Sequence, residues 1–168
     1  ITLMNTPSEK YSSYSERPLN PKELNGLLKT SCDINKLSIF NDMYRRGFYV
    51  SSGMKFGGDF LAYAGDPVRY HAQFVVRLVQ STPEGYVDLS KTDYNIVNGF
   101  QRLTHTANKI PLSATVVLNN DLEEHCSFSP ENYKVRYWTL KDREYLTPDS
   151  RNTDFESVDP NPRNTNKV

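Results

Sequence analysis

An α/β fold, a mixed β-sheet with flanking helices, is what the order of hydrophobic patterns along this chain predicts. Three observations carry that expectation. Two segments, at about 34–46 and 92–107, keep apolar residues at helical spacing. Five short runs rich in Val, Phe, Tyr and Thr are bounded by turn residues and read as strands. One of these runs, "RYHAQFVVRLV", holds Val75-Val76 and Leu78-Val79 back to back, the mark of a central strand buried on both faces.

Taken in order, "NPKELNGLLKT" reads as a short helix with Asn20 as N-cap and Pro21 in its first turn. Asp33 is expected to cap the next helix, "INKLSIFNDMYRR". Its Ile34, Leu37, Phe40, Met43 and Tyr44 share a face, and Gly47 supplies the stop. "FYVSS" is a strand and "GMKFGG" a loop. "DFLAY" and "RYHAQFVVRLV" are strands around the turn "AGDPV". "STPEGYVDLS" is loop. Over 92–107, Ser90 and Asp93 resemble a capping box, and Ile96, Val97, Phe100, Leu103 and Ala107 keep the helical period. Gly99 inside it costs about 1 kcal/mol against alanine. The strands "LSATVVLNN" and "YKVRYWTL" follow, separated by the acidic, loop-like "DLEEHCSFSPEN".

These elements make one domain over about 20–146, between a flexible segment at 1–19 and a polar tail at 147–168 expected to be disordered. The chain opens on Ile1 rather than methionine, as a piece of something longer would. Across 168 residues, hydrophobic side chains are 37% and charged ones 24%, enough for a core in a polar molecule. The net charge is zero, which removes any whole-molecule case for nucleic-acid binding. From Tyr44 to Leu118, eight Lys/Arg against five Asp/Glu leave a weak bias of +3 (8 − 5). Cys32 and Cys126, with His71, His105 and His125, match no metal-ligand spacing, so no metal or cofactor is expected; a reduced, intracellular protein is the default. No apolar run of about eighteen residues occurs, and no membrane span is expected.

Tyr63 and His71, both able to move protons, flank the "AGDPV" turn. If Tyr63 pairs with Arg69 and His71 with Leu61, their side chains share one sheet face as diagonal neighbours about 7–8 Å apart. That gap suits a substrate atom held between them. A one-residue slip in register would separate them. Residue chemistry alone reaches no further than a possible proton-transfer pair.

"GMKFGGDFLAYAGDPVRYHAQFVV", preceded by "MYRRGFYVSS", resembles the catalytic domain of the tRNA-splicing (tRNA-intron) endonucleases. It is most similar to the eukaryotic catalytic subunit assigned to the 3′ splice site. The family's third catalytic residue is a lysine seven positions after the Arg of an "RL" pair, and "RLTHTANK" puts Arg102 and Lys109 there. The likeness covers about 40–118. The family usually has a proline where this chain has Ala64, and a glycine where it has Thr104.

The resemblance implies metal-free cleavage of precursor tRNA by attack of a ribose 2′-hydroxyl on its own phosphate, leaving a 2′,3′-cyclic phosphate and a 5′-hydroxyl. Such chemistry needs a base, an acid and a cation, and Tyr63, His71 and Lys109 are the implied set. The family assignment makes the tyrosine the base and the histidine the acid; the residues themselves fit either order. Arg69, Arg102 and His105 are candidates for RNA backbone contact. The resemblance further implies a nuclear heterotetramer with a second catalytic and two structural subunits. The expected pairing strand is 133–140, with Tyr133, Tyr137 and Trp138 exposed. Its non-enzymatic alternative is a structural subunit of the same complex, and such subunits lack the three residues kept here.

Overall fold

The computed structural model describes residues 20, 23, 26, 28, 30–118, 132–140 and 155–162. Its first full helix, α1 (Ser31–Arg45), starts from a reciprocal pair. The Thr30 hydroxyl accepts the Asp33 amide, and the Asp33 carboxylate accepts the Thr30 amide at 3.0 Å. Thr30 is therefore the N-cap, and Asp33, expected to be the cap, is the acidic partner three residues on. At the far end Gly47 adopts φ +91°, and the amides of Gly47 and Phe48 reach back to the carbonyls of Tyr44 and Met43. That left-handed termination stops the helix where expected. It also turns Phe48 into the same core cluster as Met43 and Ile39. The fully buried residues of α1 are Ile39 and Met43 with Ser38; of the expected face Met43 is among them, Ile34, Leu37 and Phe40 are half-buried, and Tyr44 is 62% exposed and stacks on Phe40. Of the short helix expected at its N-terminal side, Glu23 and Gly26 are helical. The Asn20 amide donates to the Glu23 carboxylate at 3.1 Å, as an N-cap would.

The sheet has six strands: β1 (Tyr49–Ser52), β2 (Phe60–Tyr63), β3 (Ala72–Leu78), β4 (Ile110–Leu118), β5 (Tyr133–Leu140) and β6 (Phe155–Val158). They lie side by side in chain order, and every neighbouring pair is antiparallel except β3 and β4. A parallel pair needs a crossover, and the connection here contains α2 (Tyr94–Thr106). Asp93 caps α2 through the Asn95 amide at 2.8 Å, so the helix begins two residues later than the periodicity suggests. Val97, Phe100, Gln101 and Thr104 face inward, while Ile96 and Leu103 are largely exposed.

The two faces of the sheet bury different clusters. Phe74, Val76, Leu112, Ala114, Val116 and Tyr137 pack with the Ile39–Met43 stripe of α1. On the other face, Leu61, Ala72 and Val75 pack with Phe100 of α2, and Trp138, Leu140 and Phe155 pack with Val97. The central strand β3 is buried from both sides, as its Val-rich run requires.

Two expectations are corrected at the C-terminal side. Within the tail read as disordered, Phe155–Val158 forms β6 against Tyr137–Leu140. Phe155 is 5% exposed, and Asp159 forms an ion pair with Arg46 at the end of α1. Phe155 in one core cluster, Val158 against the other, a buried Pro160 and the Arg46 ion pair anchor a strand in otherwise polar surroundings. The strand 133–140 therefore has its outer edge covered from Tyr137 to Leu140, and Tyr137 and Trp138 are buried. They are adjacent residues, so they point to opposite faces, and each face has its own cover. The acidic segment "DLEEHCSFSPEN" lies outside the described residues except for Asn132 at its end.

Candidate active site

The register around the turn is not the symmetric one. Tyr63 pairs with Ala72, Ala62 with Phe74 and Leu61 with Val75, so Gln73 is an extra residue in β3, a bulge. The cause lies in Asp66. Its side chain accepts the Val68 amide at 2.9 Å, and its carbonyl accepts the amides of Arg69 and Tyr70 at 2.8 and 2.9 Å. That self-closed turn removes residues 67–70 from the ladder. Neither Arg69 opposite Tyr63 nor His71 opposite Leu61 is realised; His71 is instead the last loop residue before β3.

Ala72 then becomes the meeting point. Tyr63 is its partner across the ladder, and His71 is joined to it by a peptide bond. The Lys109 ammonium points at its carbonyl, 3.4 Å away. Lys109 stands immediately before β4, whose parallel register sets Ile110 beside Phe74. Tyr63 and Lys109 are half-buried and His71 is exposed, so the group lies at an open end of the sheet. The Tyr63 hydroxyl accepts a long hydrogen bond, 3.3 Å, from Ser51 on β1.

Below the ammonium sits an aromatic floor. The Phe56 ring centroid is 5.3 Å from Lys109 Nζ, in cation–π range, and both Phe56 and Tyr63 pack on the cluster of Leu61, Ala72, Val75 and Phe100. Phe56 is held there by the "GGD" that follows it. A Cβ on Gly58 would meet Val75 Cγ1 at 2.5 Å and the Val76 carbonyl oxygen at 2.9 Å, so only glycine lets this loop lie flat on β3. Asp59 pins the loop at both backbone and side chain. Its amide donates to the Val76 carbonyl, and its carboxylate accepts the Leu78 amide and pairs with Lys36 at 2.9 Å. The Asp59 hydrogen bond holds the Lys36 ammonium above the usual lysine range. A phenol, an imidazole and an ammonium around one peptide make a set that can give, take and neutralise charge.

Residues 34–123 match the family model described as "tRNA intron endonuclease, catalytic C-terminal domain". The chain belongs to the tRNA intron endonuclease family. Over 42 residues it is 50% identical to the human tRNA-splicing endonuclease subunit Sen34, a stretch covering 25% of this chain and 14% of that protein. It is 38% identical over 86 residues to the tRNA-splicing endonuclease of Methanopyrus kandleri, covering 51% and 42%. With the probable subunit sen34 of Schizosaccharomyces pombe it shares 43% identity over 44 residues, covering 26% and 16%. The matches span less than half the length of each of these relatives.

Within this endonuclease domain the remaining candidates distribute as follows. Arg69 is exposed in the Asp66 turn, two residues before His71. Arg102 and His105 are exposed on the last two turns of α2, leading toward Lys109. Thr104, where the family usually has glycine, is fully buried; its hydroxyl donates to the carbonyls of Phe100 and Gln101 at 2.9 Å, so the departure is absorbed inside the helix. Among the described residues no group of three or more His, Cys, Asp or Glu is placed to hold a metal. Two neighbours of the trio were not legible as such in the sequence. Phe56 sits in a run that reads only as loop, and Ser51 is one of two serines in "YVSS". The alternation of β1 marks one of those serines for each face, but not which of them meets a phenol.

Proposed function

We propose that this chain is a catalytic subunit of a tRNA-splicing endonuclease that cleaves precursor tRNA at an intron boundary, the 3′ splice site. What supports the proposal is that Tyr63 pairs with Ala72 across the ladder, the Lys109 ammonium reaches the Ala72 carbonyl, and His71 is the residue just before it. The 2′-hydroxyl loses its proton to a base and attacks the adjacent phosphorus. The P–O5′ bond breaks, and the departing 5′ oxygen takes a proton from an acid, leaving a 2′,3′-cyclic phosphate and a 5′-hydroxyl. No metal enters this scheme, because base, acid and cation are all side chains. With Tyr63 as base and His71 as acid, Lys109 stands where negative charge builds on the phosphoryl oxygens.

Arg69, Arg102 and His105, exposed on the turn before His71 and on the helix leading to Lys109, serve in this reading as contacts for the RNA backbone. The weak basic bias of the domain fits recognition shared among several subunits, one further catalytic and two structural, in the nucleus. The relatives named as subunits support a multi-subunit assembly. In the assembled enzyme, His71→Ala should bind precursor tRNA normally and leave the intron's 3′ junction uncut, read by gel separation of the products. Normal cutting at that junction refutes the role.

A further inference from the structure

Asn108 has φ +50°, and no other non-glycine residue among those described has a positive φ. It stands between the end of α2 and Lys109, inside a tight exit turn. The Asn108 amide donates to the His105 carbonyl and the Lys109 amide to the Thr104 carbonyl, each at 3.0 Å. This is the termination that glycine usually provides, built here on an asparagine, the side chain that tolerates the left-handed region best after glycine. The chain reverses at this one residue and enters β4 with Ile110 level with Phe74. From that starting point the Lys109 side chain meets both the Ala72 carbonyl and the Phe56 ring. A right-handed residue at 108 would carry the backbone onward along the helix and start Lys109 from a different place.

We infer that Asn108 is a positioning residue: its left-handed backbone sets where the Lys109 ammonium stands at the reacting phosphate. The inference rests on the role proposed above for Lys109.

The test uses the assembled endonuclease and precursor tRNA, with single-turnover cleavage at the 3′ junction and binding measured separately. Asn108→Gly keeps cleavage within about twofold, since glycine enters this region without steric cost. Asn108→Val, β-branched and strained there, slows cleavage about a hundredfold with binding unchanged, the effect of a catalytic group misplaced by about 1 Å. In a Lys109→Met background the same valine changes the remaining rate by no more than about twofold, because the two residues act through one atom. A merely structural role predicts a further, independent loss in that background. Full-rate cleavage by Asn108→Val, Asn108→Gly as slow as valine, or an undiminished valine effect beside Lys109→Met each overturns the inference. If the valine variant does not assemble, Asn108→Ala takes its place and must cleave about severalfold more slowly than Asn108→Gly; equal rates overturn it. Lys109→Met at full rate would sink the lysine's catalytic role as well. Asn108→Val at full rate beside a slow Lys109→Met sinks the positioning alone.

Discussion

Tyr137 and Tyr63 place the same phenol in opposite situations. Tyr137 is 2% exposed; its hydroxyl donates to Asp42 at 2.8 Å, and the Arg46 guanidinium lies 5.5 Å from its ring centroid. Burial pushes its ionisation far above the ordinary phenol range, and the Asp42 carboxylate pushes the same way. That hydroxyl is committed: it ties β5 to α1, and Arg46 extends the network to Asp159 beyond β6. Tyr63, half-buried at the open end of the sheet, has among the described residues one long hydrogen bond, from Ser51, and the Lys109 ammonium lies at the carbonyl of its ladder partner Ala72. A phenol saturated by a charged partner in the core serves stability. One with a long, easily exchanged partner at an accessible edge can be given to a substrate.

Replacing each tyrosine by phenylalanine tests the contrast most severely. Tyr63→Phe should lower cleavage at the 3′ junction by about 10²–10⁴-fold, the usual worth of a general base, with almost no change in melting temperature. Tyr137→Phe should leave cleavage by the folded enzyme intact and cost about 1.5–3 kcal/mol in a denaturant titration, the range for a hydrogen bond to a charged group. The contrast collapses if the two variants exchange phenotypes.

Alkaline unfolding supplies a smaller effect. The folded Tyr137 holds its proton above the range, near pH 10, in which an unfolded tyrosine releases it. The unfolded chain therefore loses protons first. The contribution of this group is fully present below about pH 10 and declines as the pH rises further. The gap in stability between wild type and Tyr137→Phe should narrow on that side. A gap constant from about pH 8 to pH 11 would mean that the phenol ionises alike in both states.

The smallest expected change is Ser51→Ala. Loss of a 3.3 Å hydrogen bond at a half-exposed phenol should alter single-turnover cleavage by about threefold and leave stability nearly unchanged. A large loss would make the serine a participant rather than a neighbour.

Much of the fold was legible because its signals are local. The helix stop at Gly47, the α2 segment, the strand-like runs and the doubly buried β3 all follow from composition and period. What stayed hidden depends on partners distant in sequence. On α1, Ile39 was left off the expected face and Tyr44 wrongly put on it, because the side that is covered depends on the Gly47 exit, which sends Phe48 into the core beside Met43 and Ile39. β6 was missed because "DFESV" holds one large apolar residue, and its worth depends on the pocket beside Trp138 and Leu140. Alternation cannot announce the Gln73 bulge, so the pairing of Tyr63 was misjudged by the length of one turn. The trio itself came from resemblance rather than from pattern. The backbone bend at Asn108 has no composition signal, since asparagine occurs in many conformations.

The sixth strand has a practical corollary for anyone trimming this polypeptide by composition. A product ending at residue 146 would keep every group discussed for chemistry, yet it would strip four residues of pairing from the rim of β5. Bare main-chain donors and acceptors beside a newly wetted indole invite other molecules to dock there, and self-association is the foreseeable result. Poor behaviour of such a shortened product would reflect its missing border rather than a defect around Tyr63, His71 and Lys109.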